Sequence, residues 1–136
     1  MPLEAFSGIW NFDRDLSQLK SPPSQWKQTI QIEGDRVRVE EQITRENGRS
    51  AVEVYAAFNE EFYEVKGSPL VDEMSYFFDG ESIHGTGRKQ GVVILREIVS
   101  LPTSDILRLL MRLFLNGKEI PLGEALFRRD SFRTER

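Results

Sequence analysis

From Phe6 to Phe127 the chain alternates apolar and polar residues in short runs, and each run is closed by a turn signal. Successive side chains on a β-strand point to opposite faces, so this rhythm predicts a β-meander. A single sheet of that length exposes two unpaired edges unless it rolls up, and a closed barrel removes both. The expected fold class is therefore all-β, an up-and-down antiparallel β-barrel of about 8–10 strands. A small barrel of this kind either fills its interior with side chains or keeps a cavity for one small ligand. The 136 residues suit a single domain, 1–136, long enough to bury a core without help from a metal or a disulfide.

The runs can be placed by their turns. Ile9 to Asp13 is the first strand, and Arg14 to Gln25 is a long connection ending in Pro22-Pro23. Leu16 and Leu19 in that connection either form a flap over one barrel mouth or pack on the outside of the sheet. Trp26 to Glu33 and Arg36 to Thr44 flank Gly34-Asp35, and Asn47-Gly48, which favours a type I′ turn, leads into Arg49 to Phe58. Phe62 to Val65, Glu73 to Phe78, Glu81 to Lys89 and Val92 to Leu101 follow. Gly85 and Gly87 share one parity within a strand, which signals a bulge, a barrel corner or the close approach of another group. Ser104 to Asn116 has the leucine-rich body of a helix. Its apolar residues nevertheless recur at period two, from Leu107 to Leu115, and Asn116-Gly117 precedes a further strand-like run, so a hairpin is expected.

Composition narrows the chemistry. There is no cysteine, which removes disulfides, thiolate metal sites and cysteine nucleophiles together. Eighteen Lys and Arg against 22 Asp and Glu, interspersed, leave a net charge of −4 and no basic stripe, so nucleic acid is not an expected partner. The longest apolar run, Ile106 to Leu115, is interrupted by Arg108 and Arg112 and is about half the length needed to span a bilayer as a helix, so no membrane span is expected. Met1 to Ala5 lacks a secretory pattern, so a cytoplasmic location is expected for the chain as written, or a secreted or periplasmic one if a leader has been removed.

Several segments, in order, carry a resemblance: Gly8-Ile9-Trp10-Asn11-Phe12-Asp13 with Leu16-Ser17 beyond it, Ser24-Gln25 before Thr29-Ile30-Gln31-Ile32-Glu33, Tyr63 to Pro69, and Asn116-Gly117-Lys118. In these the chain resembles the bacterial lipocalin-like proteins of the calycin type, mostly uncharacterised small barrels. The resemblance implies an up-and-down antiparallel barrel with an internal site for an apolar or amphipathic small molecule. It implies no catalytic residues. Asn59-Glu60-Glu61 and Ser104-Asp105 depart from the pattern, standing where glycine-containing turns are usual.

Candidate site residues follow from polar groups that interrupt apolar faces. Glu41 lies between Val39 and Ile43, Gln28 between Trp26 and Ile30, and Arg96 between Ile94 and Ile98. Together a carboxylate, an amide and a guanidinium inside an apolar cavity would orient a ligand with one polar end, Arg96 taking a carboxylate or phenol. Should these positions lie near the barrel ends instead, water would reach them. Tyr55 and Tyr76 add aromatic surface to line or fill the interior, and Trp10 is expected to plug one end. His84, the single histidine, alternates with Ile83 and Gly85 and is expected to face outward. No Gly-x-Ser-x-Gly elbow or phosphate loop is present, and no cofactor or metal is implied. The leading expectation is a binding protein for an apolar or amphipathic small molecule. The alternatives are a filled barrel acting as a structural or interaction domain, and an enzyme on an apolar substrate.

Overall fold

The computed structural model describes residues 2–130. A single 3-10 turn, Leu3–Phe6, precedes eleven strands: β1 (Gly8–Phe12), β2 (Gln18–Leu19), β3 (Gln25–Glu33), β4 (Arg36–Arg45), β5 (Gly48–Ala57), β6 (Tyr63–Lys66), β7 (Glu73–Phe78), β8 (Ile83–Lys89), β9 (Val92–Thr103), β10 (Ile106–Leu115) and β11 (Lys118–Arg129). From β3 onward each strand pairs antiparallel with the next. β1 pairs with β3 on one side and with β11 on the other, closing a ten-stranded up-and-down barrel. β2 is an extra strand laid on β11, Leu19 opposite Gly123 and Gln18 opposite Glu124. That contact requires a glycine: a Cβ on Gly123 would stand 2.1 Å from the Gln18 carbonyl oxygen, and its φ is +118°.

Several turns behave as their residues predict. Asn116-Gly117 and Gln90-Gly91 both have two positive φ angles, the signature of the type I′ hairpin turn. Asn47-Gly48 differs from expectation. The turn falls on Glu46 and Asn47, Arg45 pairs with Gly48, and only the glycine has positive φ. In Asn59-Glu60-Glu61 it is Glu60 that takes the left-handed conformation, φ 63°, while the Asn59 side-chain oxygen accepts the Glu61 amide at 3.0 Å. Ser104-Asn116 is a hairpin arm and not a helix: Ile106–Leu115 pairs along both edges, with Leu107 and Leu109 fully buried and Arg108 and Arg112 on the outer face.

The two ends of the barrel differ. At one end sit the Gly34-Asp35, Asp79–Ser82 and Ser104-Asp105 turns, together with the Leu3–Phe6 segment. Phe6 and Trp10 are wholly buried there, Phe6 meeting Phe78 edge-on at 6.2 Å. The Trp10 indole donates to the Phe6 carbonyl at 3.0 Å, and the Arg129 guanidinium stacks 4.2 Å from the Trp10 ring. Arg129 also donates to the carbonyls of Ser7, Ala5 and Ser104, so one side chain ties the first segment, the last strand and a hairpin together. This end is plugged, with Trp10 in the plug. At the opposite end the Arg14–Gln25 connection forms no helix. Leu16 is exposed, and Leu19 turns inward against the core, so the two leucines do not act as a pair.

Candidate functional site

The open end leads into an internal cavity of about 400 Å³. Its rim is made by Lys20, Ser21, Arg45, Asn47, Ser68 and Leu70, and its walls are largely apolar, with Val52, Val54, Val65, Leu95, Leu109 and Met111. Leu19 from β2 also lines it, so the long connection does contribute to the mouth. A more open depression of about 700 Å³ runs across the outside near Ser24–Lys27 and Arg49–Ala51, and no carboxylate lines it.

The polar groups of the cavity come from two rungs on different parts of the wall. In the first, Trp10, Gln28, Glu41 and Val52 lie side by side on β1, β3, β4 and β5. The Glu41 Oε1 accepts the Trp26 indole N–H at 2.7 Å and the Gln28 amide N–H at 3.0 Å. Both donors use one oxygen. Phe12 and Phe127 brace the Trp26 ring, at 5.8 and 5.0 Å between centroids. In the second rung Tyr76, Gly85, Glu97 and Met111 lie side by side on β7, β8, β9 and β10. Gly85 makes room in it: a Cβ there would come within 2.8 Å of the Glu97 Cγ and 3.0 Å of the Met74 Cε. Gly87 does the same for Met74 and Val71. The two glycines mark a close approach of neighbouring side chains, and a register shift lies directly after Gly87.

Glu97 has no hydrogen-bond or ion-pair partner among the described residues. Burial pushes its carboxyl up to about 8, and the negative charge of Glu41 adds to the shift. Glu41 is also raised by burial, with the Gln28 and Trp26 hydrogen bonds opposing the rise. Tyr76, 7% exposed, is raised well above its usual value by burial and by both carboxylates. The interior is thus an acid pair with a phenol and an indole, in an apolar chamber whose cations, Lys20 and Arg45, stand at the rim.

Of the five residues singled out from the sequence, Gln28, Glu41 and Tyr76 line this cavity. The other two do not. Tyr55 lies on the outer wall, 40% exposed, with the Arg38 guanidinium 4.7 Å and that of Arg36 5.4 Å from its ring. Beside it Arg38 pairs with Glu53 at 3.0 Å. Tyr55 alternates with Val54 and Ala56, both buried, so its strand parity sends it outward. Arg96 is also outside, exposed and 5.5 Å from the Phe114 ring. The bulge is the cause. A regular hairpin through Gln90-Gly91 would set Gly87 opposite Ile94 and turn Arg96 inward; the shift after Gly87 sets Gly87 opposite Leu95 and Gly85 opposite Glu97. Glu97 therefore takes the interior position assigned to Arg96, and sequence periodicity missed it because both faces of β9 read as apolar, charged, apolar. His84 faces outward as expected, its Nε2 2.8 Å from the Asp79 carboxylate.

No group of three or more His, Cys, Asp or Glu among the described residues is placed to hold a metal ion. No helix of the described residues is long and apolar enough to cross a membrane. No protein-family model matches the chain, and neither a curated protein nor a solved structure does.

Proposed function

We propose that the protein is a container for one apolar or amphipathic small molecule, held in the barrel with its polar end against the Gln28, Glu41, Tyr76 and Glu97 cluster, as the lipocalin-like reading of the sequence implies. The observation that carries this is the cavity itself: about 400 Å³, open at one end, largely apolar in its walls and with a few polar side chains reaching it from two parts of the barrel. Ligand sites are commonly of this size and composition, a largely apolar lining with a few convergent polar groups. The alternative of a filled barrel is served less well by a chamber of this volume. An enzyme using the acid pair is the second reading, favoured by a Glu97 carboxyl that burial pushes up to about 8. It ranks behind the container because nothing identifies a reacting substrate.

The test is a titration with the uncharged dye N-phenylnaphthylamine, which fluoresces in apolar surroundings. One saturable site is expected for the parent, and it should vanish in Val54→Trp, which fills the chamber from β5. A folded parent that gives no saturable signal would overturn the container reading in favour of the filled barrel.

A further inference from the structure

Resting on that reading, we infer that the ligand carries a cationic amine, whose ammonium group sits between the Glu41 and Glu97 carboxyls while its apolar body occupies the chamber toward the mouth.

Ionising a half-buried carboxyl without a partner is unfavourable, and ionising a second one in the same chamber is more so, since the two charges would repel. Glu41 is partly compensated by Trp26 and Gln28, but both donors converge on Oε1, which leaves its other oxygen without a hydrogen-bond donor among the described residues. Glu97 has no partner at all among the described residues, and Gly85 is shaped to let it stand in the wall. Every charged group that faces the chamber from its walls is acidic: Glu41 on β4 and Glu97 on β9, with Tyr76 on β7 the one other titratable group. From β5, β6, β10 and β11 the lining is Ser50, valines, leucines and Met111. The cations Lys20 and Arg45 stand at the rim, and Arg45 is engaged there with the Ser21 carbonyl at 2.8 Å.

A ligand with an anionic end would meet two carboxyls and no cation inside. An alcohol could satisfy one carboxyl oxygen but brings no charge that would let Glu97 ionise beside Glu41. An ammonium does both, because it offers three N–H donors and a positive charge. With its carboxyl raised to about 8, Glu97 keeps its proton at neutral pH in the empty chamber and gives it up to water when the ammonium enters and pairs with the carboxylate.

The experiment is calorimetry on the whole protein with three probes that share one apolar body: phenylbutylamine, phenylbutanol and phenylbutyrate, each also tested for displacement of the bound dye. The amine is expected to bind at least tenfold more tightly than the alcohol and to displace the dye, and the carboxylate not to bind. In Glu97→Gln the amine should lose ten- to a hundredfold in affinity, the scale of one charge-assisted hydrogen bond, while the alcohol is little changed. Circular dichroism melting checks that the variant folds, and the comparison of probes on the parent needs no variant. A carboxylate or alcohol that binds as well as the amine, an amine that binds without displacing the dye, or an unchanged amine affinity in Glu97→Gln would each overturn the inference. Each leaves the container reading in place, whereas loss of dye binding by the parent removes both.

Discussion

The plugged end and the open end of this barrel are built from the same kind of strand, yet they use polar groups in opposite ways. At the plugged end the polar groups of Trp10 and Arg129 are matched. The Trp10 N–H has the Phe6 carbonyl, and the Arg129 guanidinium meets the carbonyls of Ala5, Ser7 and Ser104 while covering the Trp10 ring. In the open half the acid pair is only partly matched, with Glu97 left alone. Buried polar groups that are satisfied rigidify a core, whereas unsatisfied ones cost stability and persist where they serve another purpose. One half of the molecule satisfies the polar groups it encloses and the other leaves a carboxyl open, which is the contrast on which the container proposal rests.

Three measurements would break or sharpen that contrast. The largest effect is expected at the plug: Trp10→Ala should cost about 3–5 kcal/mol of unfolding free energy in denaturant titration. A variant that unfolds like the parent would mean that the plugged end is not where stability resides. The second concerns the acid pair. The Glu97 carboxyl lies near 4.5 when unfolded and near 8 in the barrel, so the folded state holds more protons across that window. Stability should be unaffected by this group below about pH 4.5, then fall as the pH rises toward 8, by on the order of 3 kcal/mol between pH 5 and pH 8. Melting of Glu97→Gln over the same range should be flatter and higher at pH 8; parallel curves for parent and variant would place the acid in water. The smallest effect is at the rim. Leu70→Ser, at a residue 38% exposed, should change stability by no more than about 0.5 kcal/mol. A loss comparable to that of Trp10→Ala would show that the mouth is a packed lid.

Much of the fold could be read from periodicity because a barrel wall has one dry face and alternation reports it. β3, β4, β5 and β10 presented their inner residues at the expected parity, and so Gln28, Glu41 and the inward leucines of β10 were identifiable. Tyr55 was also legible as an outer residue by the same rule, and its aromatic character alone was too weak a reason to place it in the site. β9 was not legible. Its Ile94, Arg96, Ile98 and Leu95, Glu97, Val99 sets have equal claims to the core, and the choice between them is made by one unpaired residue after the hairpin. The glycines opposite held the missing information: only an inward Gly85 gives the Glu97 side chain its space. The cavity was out of reach for a different reason, since the space left by a ring of side chains depends on their packing in three dimensions and on where β2 lies.

The seam between β1 and β11 has a consequence for how the chain assembles. It is short, Trp10, Asn11 and Phe12 facing Arg129, Arg128 and Phe127, and it joins the first strand to the last. From β3 to β11 each pairing closes across the turn or loop between consecutive strands, whereas the seam must bring together residues more than a hundred positions apart, and the entropy of closing a loop grows with its length. The same three rows include Trp10 and Arg129, the stacked pair of the plug. Closing the ring and corking its floor are therefore one event, a contact expensive in chain entropy being secured by two side chains that between them donate to four backbone carbonyls.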